Sequence, residues 1–149
     1  MCRIVITVGL PGSGKSTYLK RRGVNAISSD EIRHLIADDS EDQSVHAQVF
    51  ATIRYLIRQR IAAGRVVTYV DATHLTRWER RPYVRLARKY GCQVEAIFFD
   101  VPLETCVRRN RRRGRVVPEE VIRAMAELME PPTVGEGLAR ILIPGLLAR

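Results

Sequence analysis

Residues 3–17 of this chain read RIVITVGLPGSGKST, a strand-like run followed directly by a glycine-rich loop. The run at 3–8 is short and β-branched, which is typical of a buried strand in a parallel sheet. Residues 9–16, GLPGSGKS, fit the pattern G-x-x-x-x-G-K-[ST], whose glycines let backbone N–H groups close around phosphate oxygens where a helix begins. The pattern needs a strand before it and a helix after it, and both are present. The stretch therefore predicts a nucleotide-phosphate site.

The residue types in this loop predict separate tasks. Lys15 should hold the β- and γ-phosphates of ATP or another nucleoside triphosphate, and Thr17 should touch the α-phosphate. Ser16 should give its hydroxyl to Mg²⁺, because this ion keeps several waters and takes few protein ligands between phosphates. The predicted nucleotide-binding residues of the loop are Gly12, Ser13, Gly14, Lys15, Ser16 and Thr17.

Strand and helix patterns alternate along the rest of the chain. Further strands are predicted at 25–28, 66–70, 94–99 and 139–143, and helices at 16–22, 29–37, 45–61, 76–90, 103–112 and 118–129. Such alternation predicts an α/β protein with a parallel central sheet and helices on both faces, whose ligands lie at the carboxyl ends of the strands. With the phosphate loop, the expected fold is a three-layer P-loop NTPase fold.

The length of 149 residues, 46% of them hydrophobic, predicts one globular domain over 1–149 rather than a disordered or fibrous chain. No apolar stretch reaches the roughly 20 residues of a membrane helix, so we expect no membrane partner and a cytoplasmic location. The cysteines are odd in number and lack C-x-x-C spacing, and the histidines lack metal-ligand spacing. We expect reduced, inert thiols and assign no role to the histidines; these residues are Cys2, Cys92, Cys106, His34, His46 and His74.

The formal net charge of +9 predicts attraction to polyanions, either nucleic acid or other phosphates. Nearly all of the positive charge is arginine, which binds phosphate in a bidentate manner better than lysine does; the only lysines are Lys15, Lys20 and Lys89. A genomic codon bias would explain the same composition.

The segment SSDEIR at 28–33 follows the predicted second strand. It places Asp30 in the first helical turn and Arg33 three residues later on the same face, where both would face the phosphate loop. A kinase needs a carboxylate to accept or orient the acceptor hydroxyl's proton, and an arginine to hold the acceptor's phosphate. The alternative is purely structural, because Ser28 and Glu31 also fit a helix-capping box.

Asp71 ends an apolar strand, as the acid of a Walker B element does. There it would accept hydrogen bonds from magnesium-bound water or orient the site. An aspartate at a strand-to-loop junction also forms turns without any chemistry.

Six arginines fall within the eight residues 108–115, RRNRRRGR, at the end of one predicted helix and before the next begins at Pro118. This dense cationic loop predicts a lid, at about 106–118, that closes over ATP and brings guanidinium groups to the transferring phosphoryl group. It could also bind nucleic acid directly or be a solvated charge run.

Five segments together resemble the kinase module of the polynucleotide 5′-hydroxyl kinase family, over nearly the whole chain. They are GLPGSGKST, SSDEIR, VDATHLTRWERR, FFDVPLETCVRRNRRRGRVVPEEVI and MEPPTVGEG. The resemblance implies that Asp30 is the general base toward a nucleic acid 5′-hydroxyl and that Arg33 grips the phosphate next to the acceptor nucleoside. It also places Arg109 and Arg113 in a lid on the ATP phosphates, with Arg113 as the transition-state arginine. His74 stands where an asparagine is usual in the family.

The predicted reaction is transfer of the γ-phosphoryl group of ATP to a 5′-hydroxyl end of DNA or RNA. Lys15, Asp30, Arg33 and Arg113 are the predicted catalytic residues. One alternative keeps this machinery but uses a small molecule, a nucleotide or a tRNA-linked hydroxyl as acceptor. A second is a noncatalytic, ATP-binding switch.

Overall fold

A computed structural model describes residues 1–114 and 117–145. Its five strands form one sheet in the order β2-β3-β1-β4-β5, in which every pair is parallel. The strands are β1 (Arg3–Val8), β2 (Ala26–Ser28), β3 (Val67–Asp71), β4 (Gln93–Phe98) and β5 (Arg140–Leu142). The predicted parallel α/β sheet is confirmed.

Six α-helices connect or follow these strands. They are α1 (Lys15–Arg21), α2 (Ser29–Ala37), α3 (His46–Ala62), α4 (Arg77–Tyr90), α5 (Leu103–Arg111) and α6 (Glu119–Leu128), with short 3₁₀ helices at Gln43–Val45 and Val134–Glu136. Local signals set several ends: Thr76 caps α4 with its side chain, and Gly91 ends it with a φ of 69°. In the described part of the chain no helix is both long and apolar enough to cross a bilayer.

Side chains that alternate along the central strands fill a core on each side of the sheet. On one side Ile4, Ile6 and Val8 of β1 pack with the buried faces of α3 and α4. On the other, Val5 packs with Leu19 of α1 and with residues around the end of β4. Helices therefore cover both faces, as the alternation of elements predicts.

The strand register brings the functional segments to one edge. Ser28 pairs with Asp71, and Val8 pairs with Phe98, so β2, β3, β1 and β4 end side by side. Neighbouring strands lie about 4.8 Å apart. The loop after β1 consequently sits between the ends of β3 and β4, with the start of α2 beside Asp71.

The expectation of three reduced thiols is wrong for two of them. Cys2 precedes β1 and Cys92 precedes the neighbouring β4, where Gln93 N donates to Cys2 O at 3.0 Å. Their Cα atoms are 4.7 Å apart and the structure joins the pair in a disulfide, although 90 positions separate them in sequence. Cys106 is a buried free thiol, and burial raises its pKa.

Candidate functional site

The phosphate loop at 9–14 depends on glycine at the points where its backbone is left-handed or closely packed. Gly12 and Gly14 have φ values of 83° and 96°. A Cβ atom on Gly12 would lie 2.5 Å from the carbonyl oxygen of Cys106, so the backbone of α5 packs directly against the loop. Gly9 N donates to Thr73 O at 3.0 Å, which ties the loop to the end of β3.

Two polar side chains of the loop fit an anionic ligand. Lys15 Nζ donates to Gly9 O at 3.0 Å and to Leu10 O at 2.8 Å, which leaves one of its three N–H donors for another acceptor. Ser13 Oγ is buried and has no hydrogen-bond partner among the described residues. Because a buried hydroxyl normally has a partner, this orphan group suits a phosphate oxygen. The loop therefore fits the phosphates of a nucleotide.

The two residues predicted for the metal lie together. Ser16 Oγ donates to Asp71 Oδ2 at 2.7 Å. Thr7, buried on β1, fixes the chain beside Asp71: its hydroxyl donates to Ala72 O at 2.7 Å and accepts from Ala72 N at 3.1 Å. Hydroxyl and carboxylate oxygens are the ligands that Mg²⁺ prefers, so this pair fits the ion or the water bound to it.

The structure also brings together the two residues predicted for the acceptor. Arg33 Nη1 lies 3.5 Å from Asp30 Oδ1, and the Asp30 side chain is 46% exposed. Arg33 is buried, and its Nε has no hydrogen-bond partner among the described residues. The structural interpretation holds too, since Ser28 Oγ caps α2 by accepting from Glu31 N at 3.3 Å. The helix cap is therefore present, and the acceptor role of Asp30 and Arg33 remains a prediction.

Charges from three segments act on the Lys15 ammonium. Burial lowers the pKa of Lys15 to about 8; Asp71 and Asp30 act to raise it, and Arg113 acts to lower it. A carboxylate after β3, a carboxylate on α2 and an arginine of the predicted lid are therefore close enough to the phosphate loop to interact with it electrostatically.

The described part of the lid is anchored by one amide. Asn110, buried near the end of α5, donates from Nδ2 to Val117 O at 2.6 Å and accepts at Oδ1 from Val117 N at 3.0 Å. Arg109 lies beside the loop, with Nη1 3.7 Å from the position of a Cβ atom on Gly14. Arg113 is exposed. Two residues of the predicted lid, 115 and 116, lie outside the described residues.

His74, which the sequence assigned no role, is buried behind the site at a φ of 44°. Its Nδ1 lies 2.6 Å from Thr7 O, and its Nε2 lies 2.8 Å from Tyr83 Oη. A carbonyl only accepts, so Nδ1–H donates to Thr7 and Nε2 accepts from the Tyr83 hydroxyl. Burial lowers the pKa of His74 to about 4, so the ring is neutral. It links the end of β1 to α4.

Arg80 was also missed, because nothing in the sequence distinguishes it from the other cations of α4. Its fully buried guanidinium donates to both carboxylate oxygens of Glu136, at 2.5 and 3.1 Å, and to His74 O and Glu130 O. Glu136 also accepts from Thr133 N at 3.1 Å. This pair holds residues 130–136 against the loop that follows β3. The only available signal was its place in the segment VDATHLTRWERR.

Replacing Gly12 by alanine should destabilise the fold strongly, because the new Cβ atom would meet the Cys106 carbonyl in a left-handed backbone. Gly23 is the matched control, with a φ of 66° and no atom within 4 Å of its added Cβ. Gly23→Ala should cost only the left-handed strain of about 1–2 kcal/mol. Urea unfolding of both variants measures the difference, and equal losses would contradict the close packing of α5 on the loop.

Nucleotide affinity should fall as the pH rises through about 8, the value to which burial lowers the pKa of Lys15. Phosphate favours the ammonium form, so binding above this pH must take up a proton, and the affinity should drop up to about tenfold per pH unit. A terminal phosphate, with a pKa of about 6, has already lost its proton there. Calorimetric titration with ATP at pH 8.5 in two buffers of different ionisation enthalpy measures the uptake. Lys15→Met should abolish it; unchanged uptake would assign the proton to another group.

Comparison with known proteins shows the family. Residues 4–132 match the sequence model of the protein family described as AAA domain. The matched range includes the phosphate loop, Asp30, Asp71 and the described start of the lid. Among curated proteins, the chain is similar to the L-seryl-tRNA(Sec) kinase of Methanococcus maripaludis, at 28% identity over 138 residues. That alignment covers 87% of this chain and 53% of the relative, so the chain spans about half the length of that protein.

Solved structures share the fold. One belongs to the Pnkp1/Rnl/Hen1 RNA repair complex, with a TM-score of 0.72 at 21% identity over 85% of this chain and 43% of that chain. Another is the Mycobacterium tuberculosis APS kinase CysC in complex with AMPPNP and APS, with a TM-score of 0.61 at 21% identity over 97% of this chain and 89% of that chain. At such identities the likeness shows the fold alone. From the family match and this shared architecture, the chain belongs to the AAA domain family and has the fold of P-loop kinases.

Proposed function

We propose that this chain is an ATP- and Mg²⁺-dependent phosphotransferase that moves the γ-phosphoryl group of ATP to a 5′-hydroxyl end of DNA or RNA. The observation that carries the proposal is that Ser16 of the phosphate loop donates to Asp71 at 2.7 Å, while Asp30 and Arg113 lie near enough to act electrostatically on the Lys15 ammonium. An acceptor carboxylate, a metal-site carboxylate and a lid arginine around one phosphate loop are the parts that phosphoryl transfer requires. We also propose that residues 1–149 form a single kinase domain and that the protein acts in the cytoplasm.

The donor side would be held by the loop and the lid. Backbone N–H groups at 12–17 and the Ser13 hydroxyl would surround phosphate oxygens, and the Lys15 ammonium would exchange its loop carbonyls for the β- and γ-phosphates. Ser16 and Asp71 would hold Mg²⁺, directly or through its water, and the bound ion would neutralise charge on the phosphates. Arg109 and Arg113 would stabilise the charge on the transferring group.

The acceptor side would be held by α2. The partly exposed Asp30 carboxylate would accept the proton of the incoming hydroxyl as it attacks in line. The buried Arg33 guanidinium, whose Nε has no hydrogen-bond partner among the described residues, would bind the phosphate next to the acceptor nucleoside. Its remaining contact to Asp30 would orient the carboxylate.

A tRNA-linked hydroxyl is the second candidate acceptor. The 28% identity to an L-seryl-tRNA(Sec) kinase, over 87% of this chain, favours it. Both candidates are hydroxyls carried by nucleic acid, so they share a donor site and differ in what enters beside Asp30.

The acceptor is tested by incubating the protein with Mg²⁺, γ-labelled ATP and three substrates: single-stranded DNA and RNA with 5′-hydroxyl ends, and serylated tRNA. We expect label at an oligonucleotide 5′ end. Label on serylated tRNA alone would select the second candidate. ATP hydrolysis with no label on any of the three would exclude both.

Replacing Asp30 by asparagine should lower phosphoryl transfer by about 10²–10⁴-fold, because the general base is lost. ATP affinity, measured by calorimetry, should change little, since the loop is intact. Asp38→Asn is the matched control on the same helix: Asp38 is exposed at the end of α2 with a φ of 59°, a conformation that asparagine tolerates. If Asp30→Asn transfers as fast as Asp38→Asn, Asp30 is not the base.

Replacing Thr7 by valine should weaken metal binding as well as stability, because the hydroxyl that fixes Ala72 beside Asp71 is lost. Thr68→Val removes another buried hydroxyl, which accepts from Arg60 Nε at 3.0 Å on β3. Both should lose about 1–3 kcal/mol in urea unfolding. Only Thr7→Val should weaken Mn²⁺ binding to the protein–ADP complex, measured by electron paramagnetic resonance. Equal Mn²⁺ affinities would leave Thr7 a purely structural residue.

A further inference from the structure

The outer face of α4 is a stripe of exposed arginines. Arg77, Arg81, Arg85 and Arg88 follow one another at intervals of three or four positions, so they lie on one side of the helix. Along an α-helix that spacing covers about 16 Å. The one acid of the helix, Glu79, is engaged with the cap: its backbone N donates to Thr76 Oγ1 at 3.2 Å, and its carboxylate accepts from the Thr76 hydroxyl at 3.2 Å.

The stability of α4 does not account for this stripe. Like charges at these spacings repel one another, and Arg77 and Arg81 lie toward the positive end of the helix dipole. In the described part of the chain no carboxylate forms an ion pair with any of the four arginines. The nearby Glu136 carboxylate is already bound by Arg80. Arg77 also acts electrostatically on Glu136, but most of the charge of the stripe has no carboxylate partner, which favours a polyanionic ligand.

The stripe borders a groove beside α4. The four arginines line a cavity of about 230 Å³ together with Val84, Gly135 and Glu136, between α4 and the turn at Val134–Glu136. The buried Arg80–Glu136 pair fixes that turn, so the far wall of the groove is rigidly held.

An exposed aromatic ring adjoins the charges. Trp78, the single tryptophan of the chain, is 73% exposed, and the Arg81 guanidinium carbon lies 5.6 Å from its ring centre. Positive charge along a groove with an aromatic ring beside it is the combination by which proteins hold single-stranded nucleic acid, because the ring stacks on a base.

The stripe is continuous with the proposed reaction edge. Arg77 follows the Thr76 cap directly, six positions after Asp71, and α4 then runs away from that edge toward Gly91. Arg80 donates to His74 O at 2.8 Å, which joins the helix to the loop beside Asp71. A strand on α4 could therefore extend toward the acceptor site.

We propose that this surface, the α4 arginine face of Arg77, Trp78, Arg81, Arg85 and Arg88, binds the sugar–phosphate backbone of a single nucleic acid strand and stacks one base on Trp78. That this strand is the one bearing the acceptor hydroxyl rests on the proposed function. The face lies outside the loop, α2 and the lid, so it would bind the body of the strand and not its reacting end.

The test is fluorescence anisotropy with labelled single-stranded RNA and DNA, in the absence of nucleotide and over a range of salt concentrations. Arg81→Gln/Arg85→Gln should weaken binding at least tenfold and lower the slope of log affinity against log salt by about 1.4, the value for two lost phosphate contacts. Trp78→Ala should weaken binding about tenfold with no change of slope, because stacking releases no counterions. The comparison of RNA with DNA shows whether the surface prefers a ribose or a deoxyribose backbone.

Two variants make the result specific. Arg21→Gln/Arg65→Gln removes the same charge from two exposed arginines outside the α4 arginine face, at the end of α1 and just before β3, and should leave the affinity within about twofold of the parent. Arg81→Lys/Arg85→Lys keeps the charge and should retain the slope, which would assign the lost slope of the glutamine variant to the charge at these two positions. Equal losses in the two glutamine variants would assign binding to net charge and overturn the proposal. If polyglutamate binds as tightly as nucleic acid and loses the same affinity in Arg81→Gln/Arg85→Gln, the ligand of this surface is an acidic protein and the nucleic acid proposal is overturned.

Transfer assays on the same samples separate the two proposals. If strand binding depends on the α4 arginine face but no strand is phosphorylated, the proposed function is rejected and the proposal that this face binds nucleic acid stands. Phosphorylation with unchanged binding by Arg81→Gln/Arg85→Gln would reject the surface and keep the function.

Discussion

The Thr7 hydroxyl lies where β1 and β3 end, and it joins the two strands by donating to Ala72 O and accepting from Ala72 N. These bonds hold Asp71 where Ser16 Oγ donates to it at 2.7 Å. A short polar link between neighbouring strand ends therefore sets the position of the phosphate loop relative to the Asp71 carboxylate. The site needs this constraint because the loop itself is built from glycines, which do not hold a conformation without neighbours.

A second layer of buried polar contacts supports that link. His74 accepts from the Tyr83 hydroxyl and donates to Thr7 O, and Arg80 joins His74 O to Glu136. Each of these groups would be costly to bury alone, and each is paired. Their hydrogen bonds to one another offset the loss of hydration and form one network that connects β1, α4 and residues 130–136. Residues 130–136, which are far from the phosphate loop in sequence, thus help to hold the segment beside it in place.

The placement of positive charge divides the molecule by function. Arg33 and Arg80 are buried and Lys15 is partly buried, and each contacts oxygen atoms within the fold. The arginines on the outer side of α4 are exposed instead and have no carboxylate partner among the described residues. The buried cations are therefore held by the fold, whereas the exposed ones remain available to a polyanion such as the proposed nucleic acid strand.

Much of this architecture could be predicted from the spacing of residues that are close in sequence. The phosphate loop, the alternation of elements and the caps at Ser28, Thr76 and Gly91 depend on residues a few positions apart, and every predicted boundary lies within one residue of the observed one. The pairing of Asp30 with Arg33 was predictable for the same reason, since helical geometry puts residues three apart on one face. These features follow from the sequence alone.

Contacts between distant segments needed the tertiary structure. Thr7 and Asp71 are 64 positions apart, Arg80 and Glu136 are 56 apart, and Cys2 and Cys92 are 90 apart. Each pair meets only because β1 lies between β3 and β4 and because α4 packs beside residues 130–136. No local pattern encodes which strands become neighbours. The sequence by itself determined the phosphate loop and the elements around it, whereas the order of the strands decided which side chains complete the site.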